Sequence, residues 1–247
     1  MRFERAKRYD EFATAQKYAA EKLAALLGKY AQSFRNAYEI GCGSGIFTKK
    51  LLSSFNIERI TLNDLYRARP MERFDSQIGD IRTIEIPRNL DLIVSSSVLQ
   101  WIDDFDALLQ KIAKTLLPGG IFAFAMFSEG TLCELSAFTG QGLPYLSNEE
   151  IEKLVSKHFT VLESAPDICP VSFSTLHDLL NSLKQTGVNN LDGNFRLSKT
   201  SLQKMETHFA GKYTLTYRFQ TIIAKKRVPE LGQENLELRT ADVKFRD

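Results

Sequence analysis

The stretch from Tyr38 to Phe47, YEIGCGSGIF, places three glycines within five residues, after a short hydrophobic run and before a helical pattern. Glycine reaches positive φ and lets backbone approach a ligand closely, at an entropic cost in folding. A chain that keeps three of them between a strand and a helix is built around something that comes near. Strand, glycine turn and helix in that order are the context of a nucleotide-binding turn. The dinucleotide fingerprint is G-x-G-x-x-G, whereas Gly41, Gly43 and Gly45 follow G-x-G-x-G and Ile46 stands where the third dinucleotide glycine belongs. That disfavours an NAD-dependent oxidoreductase. A P-loop needs a Gly-Lys-Ser/Thr ending, and this loop has no basic residue before Lys49.

Around the loop, strand-like and helical patterns alternate. Phe12, Ala15, Ala19, Leu23, Leu26 and Leu27 recur at helical spacing and predict a helix from about 10 to 28. Short apolar runs predict strands at Ala37 to Ile40, Arg59 to Leu62, Asp91 to Ser95 and Ile121 to Phe127. Helices are expected after the glycines, from Ile46 to Phe55, and from Asp104 to Leu117, where Pro118-Gly119-Gly120 reads as a stop. Such alternation implies a parallel sheet covered on both faces. Two more strands are expected at Phe159 to Glu163 and Tyr213 to Ala224, separated by a mostly helical insertion over 174–210. An insertion of that length suits a lid or binding element. Beyond Lys226 the periodicity is lost, and 227–247 reads as a mobile tail.

Composition narrows the class. The 247 residues carry 32 Lys+Arg against 30 Asp+Glu, a balance unlike the basic excess of nucleic-acid binders. No apolar run approaches the roughly 18 residues of a membrane span. The N-terminal MRFERAKRYDEF lacks a secretory h-region. Cys42, Cys133 and Cys169 form no CxxC pair, and His158, His177 and His208 show no metal spacing. A cytoplasmic protein without nucleic-acid, membrane or metal partners is expected. Cys42 has no basic neighbour and reads as a small packing residue rather than a nucleophile.

Asp64 ends the second strand candidate, about 20 residues past the loop, where a carboxylate can accept both hydroxyls of a ribose. Together these residues resemble the class I S-adenosylmethionine-dependent methyltransferases. Glu39-x-Gly41-x-Gly43-x-Gly45 matches that family's first motif, Asp64 its ribose-binding acid and Gly79-Asp80-Ile81 the turn that caps the adenine. Asp91 to Ser97 matches its fourth strand, and Leu117-Pro-Gly-Gly120 the turn before the fifth. Asn63 beside Asp64 departs from the pattern and adds a second polar group. The resemblance implies an α/β, Rossmann-like, doubly wound fold: a mostly parallel seven-stranded sheet with a helical lid insertion before the last strand. It implies one domain over 1–226, with an N-terminal helical segment at 1–30. The cofactor would be S-adenosylmethionine, held by Tyr9, Gln16, Glu39, Gly41, Cys42, Gly43, Gly45, Asn63, Asp64, Asp80, Ile81, Ser96 and Gln100.

Outside that core, Arg8-Tyr9-Asp10 through Gln16, Ser97-Val-Leu-Gln-Trp101 and Gly142-Leu-Pro-Tyr-Leu-Ser147 resemble the malonyl-acyl-carrier-protein O-methyltransferases of biotin synthesis. By that resemblance the acceptor is the free carboxylate of a malonyl thioester, carried by acyl carrier protein or coenzyme A. Another small-molecule carboxylate or a quinone-type acceptor is the alternative, and an inactive cofactor-binding scaffold shares the same core. Tyr9 and Gln16 lie two helical turns apart and would close over the methionine end of the cofactor; packing of that helix on the core is the competing role. Tyr9, Trp101 and Tyr145 are the candidates for the reacting centre. A carboxylate with a pKa of about 4 is ionised at neutral pH, so the transfer needs no general base, in keeping with the absence of a catalytic dyad or triad.

Overall fold

The computed structural model describes residues 9–186 and 198–228. Seven strands are formed: β1 Ser33–Ile40, β2 Asn56–Asp64, β3 Asp75–Ile78, β4 Leu90–Ser96, β5 Leu116–Phe127, β6 Phe159–Ser172 and β7 Thr214–Lys226. They make one sheet in the order β3-β2-β1-β4-β5-β7-β6. β1 to β5 pair parallel, and β7 lies antiparallel between β5 and β6. The helices are α1 Tyr9–Phe12, α2 Thr14–Leu27, α3 Ile46–Ser54, α4 Phe105–Thr115, α5 Cys133–Thr139, α6 Asn148–His158, α7 Leu176–Gln185 and α8 Lys199–Phe209.

β5 shows how the sequence dictates the layers. Side chains alternate faces along a strand. Phe122, Phe124 and Met126 enter one core with Leu109 and Ile112 of α4 and Ile151 and Val155 of α6. Ala123, Ala125 and Phe127 enter the other with Ala15, Ala19 and Leu23 of α2 and Leu51 of α3. Alanine facing alanine lets α2 sit close to the sheet. With both faces buried, the strand has to be apolar throughout. Caps fix the outer helices: Asp104 Oδ1 accepts from Ala107 N (3.0 Å), and Ser147 and Glu150 form a reciprocal capping box at α6.

The structure departs from the sequence reading in several places. The helix expected from 10 to 28 breaks at the fully buried Ala13, giving α1 and α2. The helix expected to reach Leu117 ends at Thr115, and Pro118-Gly119-Gly120 lies inside β5. Leu90 pairs with Leu116 but Leu92 with Ile121, so the three residues are accommodated as a bulge, with Gly119 at φ +78°. β6 runs to Ser172 rather than Glu163 because β7 pairs with it along its whole length. Its prolines, Pro166 and Pro170, are tolerated because β6 is the sheet edge. α5 and α6 lie in a stretch where the sequence pattern marked no helix.

The insertion expected over 174–210 contributes α7 and α8, with 187–197 outside the described residues. Residues 1–8 of the N-terminal segment and 229–247 of the expected tail also fall outside. β5 stops at Phe127, but β6 and β7 continue as a two-stranded ribbon from Ile168↔Arg218 to Ser172↔Thr214. This ribbon, with α5 against β7, overhangs the carboxyl ends of the parallel strands. Ligands bind in that crevice in open α/β sheets. No helix among the described residues is long and apolar enough to cross a membrane.

Candidate functional site

β1 ends at Ile40 and the chain turns through Gly41, Gly43 and Gly45 with φ of +72°, +50° and +86°. The three glycines serve different purposes. A Cβ on Gly41 would overlap the methyls of Val98, and one on Gly45 would lie 2.6 Å from Pro70 Cγ. Those two glycines admit neighbouring chain. A Cβ on Gly43 would meet nothing within 4 Å, so that glycine faces open space. Gly41 N and Cys42 N donate to Asn63 O (2.9 Å each), and Gly43 N donates to Asp64 Oδ2 (2.8 Å). The end of β2 therefore holds the loop from beneath. Ile46 begins α3 and packs partly buried against the core.

Four further candidates have defined local roles. The Asn63 amide donates to Gln77 O (3.0 Å) and Gly79 O (3.1 Å), so its amide N–H groups fasten β2 to β3 and are not free to reach a ribose. Asp64 Oδ1 accepts only a 3.3 Å bond from Tyr66 N, which leaves its carboxylate capacity for more. Asp80 is gripped by the Arg82 guanidinium at 2.6–3.0 Å, which holds its carboxyl below the usual range. Ile81 is buried, and Lys111 Nζ clamps the turn by donating to the carbonyls of Ile81, Arg82 and Ile84.

Glu39 is buried beneath the loop and accepts a 2.7 Å bond from Thr48 Oγ1. Burial, with the nearby Asp64 charge adding to it, raises its pKa to about 7 against the opposing Thr48 bond. Burial together with the Glu39 and Asp64 charges pushes the Cys42 thiol far up, which makes it inert as a nucleophile.

Tyr9, Gln16, Gln100, Trp101 and Tyr145, drawn from widely separated parts of the chain, line one partly open cavity of about 30 Å³. The break at Ala13 sets α1 apart from α2. Burial, then the Asp10 and Asp64 charges, raise the Tyr9 phenol strongly. Trp101 meets Tyr145 edge-on, centroids 5.5 Å apart. Ser96 sits half-buried at the end of β4, and the following Ser97 takes φ +60°.

Ser44, Phe127, Thr131, Leu132 and Tyr217 were not singled out by the sequence reading, whereas Gln100 was. Asp10 Oδ1, Ser44 Oγ, Ser97 Oγ and Gln100 Oε1 are buried without a hydrogen-bond partner. Buried polar atoms normally have partners, so orphaned atoms in the loop, at the end of β4 and in α1 suit a polar ligand. With the open side of Gly43, they fit the cradle expected for S-adenosylmethionine. Tyr217, Phe127, Thr131 and Leu132 complete the cavity. Tyr217 had a signal in the alternation of β7, which turns it to the same face as Leu215 and Phe219. None of the three histidines lines the cavity: His158 pairs with Asp106 (3.0 Å) and His208 with Glu134 O (3.0 Å). Among the described residues no cluster could hold a metal.

Comparison with known proteins fits this geometry. The family model described as "Methyltransferase domain" matches residues 9–192. A malonyl-acyl-carrier-protein O-methyltransferase of Chlorobium phaeovibrioides is 33% identical over 238 residues, spanning 89% of this chain and 92% of that protein. The Bacteroides thetaiotaomicron protein of the same name is 35% identical over 244 residues, with 89% and 93% covered. A candidate methyltransferase of Bacillus halodurans superposes with a TM-score of 0.63 at 8% identity, covering 85% of this chain and 100% of that one. Haemonchus contortus phosphoethanolamine N-methyltransferase 2, solved with S-adenosyl-L-methionine, gives a TM-score of 0.51 at 20% identity over 84% of this chain and 53% of its own.

Proposed function

Since the chain belongs to the methyltransferase-domain family, and within it to the malonyl-acyl-carrier-protein O-methyltransferases, we propose that it methylates the free carboxylate of malonyl-acyl carrier protein. The methyl donor is S-adenosylmethionine, and the product is a methyl ester of the kind from which biotin synthesis starts. The single observation that carries the reading is the similarity to those curated relatives over nearly the whole of both chains.

The donor's sulfonium supplies an electrophilic methyl when bound. The chain's own residues do the rest. Asp64 retains acceptor capacity for a ribose, and the bare edge of Gly43 admits the amino-acid end. The Asp64 carboxylate beside the loop suits a cationic ligand. Asp80, Ile81, Ser96, Gln16, Gln100 and Cys42 are assigned to the walls of the same site. Asn63 acts there through its backbone carbonyl, which anchors the loop.

No Lys, Arg or His lines the cavity among the described residues, and none is required, because the acceptor carboxylate is already ionised at neutral pH. The pocket aligns the acceptor and excludes water; alignment alone can supply about 7–11 kcal/mol. The acidic carrier is assigned to the exposed cations Lys184, Lys199, Lys204, Lys212 and Arg218 on and beside the α7–α8 insertion. Arg196, a further cation of the insertion, lies outside the described residues.

The test is mass spectrometry of malonyl-, succinyl- and acetyl-acyl carrier protein incubated with S-adenosylmethionine. Malonyl should gain one methyl rapidly. Succinyl should react on the order of a hundredfold more slowly, because a displaced reacting atom is costly. Acetyl should be inert. A failure to methylate malonyl while the cofactor binds would point to the other small-molecule acceptors.

A further inference from the structure

We propose that Tyr145 and Tyr217 together receive the acceptor's carboxylate, as a cradle of two neutral phenol donors with no cation; this rests on the acceptor reading above. Both side chains line the cavity, one from the 140–147 loop and the other from the ribbon end of β7. Their hydroxyls differ from those of four other tyrosines. Tyr18 reaches Asp167, Tyr30 reaches Glu163, Tyr38 reaches Gln77 and Tyr213 reaches Glu206. Among the described residues, Tyr145 and Tyr217 have no such partner, nor has Tyr9, the third tyrosine of the cavity. A largely buried phenol normally finds one.

The other hydroxyls of that part of the cavity are already committed. Thr131 Oγ1 donates to Arg218 O (2.7 Å) and accepts from Arg218 N (3.0 Å). Thr186 Oγ1 donates to Ser182 O (2.9 Å). The phenols of Tyr145 and Tyr217, with the Tyr9 phenol and Ser97 Oγ, are therefore the uncommitted hydroxyl donors of the cavity, and the first two are those on the side of the 140–147 loop and the β6–β7 ribbon. Each ring is steadied by an aromatic neighbour, Tyr145 by Trp101 at 5.5 Å and Tyr217 by Phe127 at 5.7 Å between centroids. Both rings line the same cavity. Burial keeps both protonated, so both remain donors throughout the working pH range. The ordering cost of the cradle is thus met before the acceptor arrives.

Neutral donors suit this acceptor better than an arginine. A guanidinium would neutralise the nucleophile and stand close to a second cation, the sulfonium. Phenols hold the carboxylate in place and leave its charge intact. One oxygen's lone pair forms the new O–CH₃ bond as the C–S bond breaks, with that bond's electron pair passing to sulfur. No proton moves, and both phenols keep theirs.

The experiment uses Tyr145→Phe, Tyr217→Phe and the double variant, which keep the ring contacts and remove only the hydroxyls. Malonyl-pantetheine is titrated calorimetrically into each protein saturated with S-adenosylhomocysteine, so that binding is read without turnover. Each single variant should weaken malonyl-pantetheine binding by about 10- to 100-fold, the range for a hydrogen bond to a charged group. S-adenosylhomocysteine affinity should stay within twofold. Acetyl-pantetheine, which has no carboxylate, should bind wild type and variants alike. The kcat/KM for malonyl-acyl carrier protein should fall in parallel. Tyr145 lies on a loop and Tyr217 in the sheet, so either variant stands as an independent test if the other fails to fold. Malonyl-pantetheine binding within twofold of wild type in both variants, with wild type methylating malonyl-acyl carrier protein, overturns the cradle and leaves the function intact. A wild type that does not methylate malonyl-acyl carrier protein overturns both.

Discussion

Replacing Gly41 and Gly43 separately by alanine should split the two purposes of the glycine loop. Both positions have positive φ, +72° and +50°, and an L-residue there costs about 1–2 kcal/mol. They differ in what the new methyl meets. At Gly43 there is nothing within 4 Å, whereas at Gly41 the methyl overlaps Val98, which adds about 1–3 kcal/mol of overpacking. A chain of this size loses about 2–4 °C in melting temperature per kcal/mol. Gly43→Ala should therefore melt about 2–8 °C lower than wild type, and Gly41→Ala about 4–20 °C lower. Affinity should run the other way relative to stability. Gly43→Ala puts its methyl into the space assigned to the cofactor, and calorimetric titration with S-adenosylhomocysteine should show more than a tenfold loss for its small thermal penalty. The assay is a thermal melt paired with that titration. If Gly43→Ala binds as tightly as wild type, the open side of Gly43 is not where the cofactor lies. A Gly43 variant that melts below the Gly41 variant would refute the steric reasoning.

Glu39 should make stability depend on pH in an unusual direction. Its pKa rises from 4.5 to about 7 on folding, so between those values the folded state holds a proton that the unfolded chain has lost. The contribution is fully present below pH 4.5 and is lost as pH rises through 7. Glu39→Gln should match wild type near pH 4 and exceed it at pH 8 by about 3 kcal/mol; an equal difference at both pH values in denaturant titrations would refute the shift. Asp64→Ala should weaken cofactor binding by several-fold to a hundredfold. Asp64→Asn, which can still accept from Gly43 N, should lose less, and equal losses would show that the bond to the loop is unimportant. Activity on malonyl-acyl carrier protein should fall with rising salt, since exposed charges are screened within about 10 Å at 0.1 M. Malonyl-pantetheine, which lacks the acidic carrier, should show a flat salt profile, and identical profiles for the two substrates would remove the basic insertion from the docking surface.

Much of this molecule was legible in order along the chain. The glycine turn between strand and helix, the acid about 20 residues on and the apolar run of β5 are local patterns, and local patterns follow from backbone geometry and side-chain period. They were sufficient for the layered α/β fold and for the loop. The boundaries failed where a neighbouring strand decides the outcome. β6 is half-exposed and carries two prolines, and it exists along its full length only because β7 is there to pair with it. Asn63 had the composition of a ligand contact, and only the position of β3 beside it reveals an amide already engaged. The cavity itself is the clearest case. Tyr9, Tyr145 and Tyr217 are separated by long stretches of chain, and no period relates them. The sequence determined which face of its own strand Tyr217 would take. That this face overhangs the site was decided by the extension of the β6–β7 ribbon past the end of β5, a long-range pairing that no local pattern encodes.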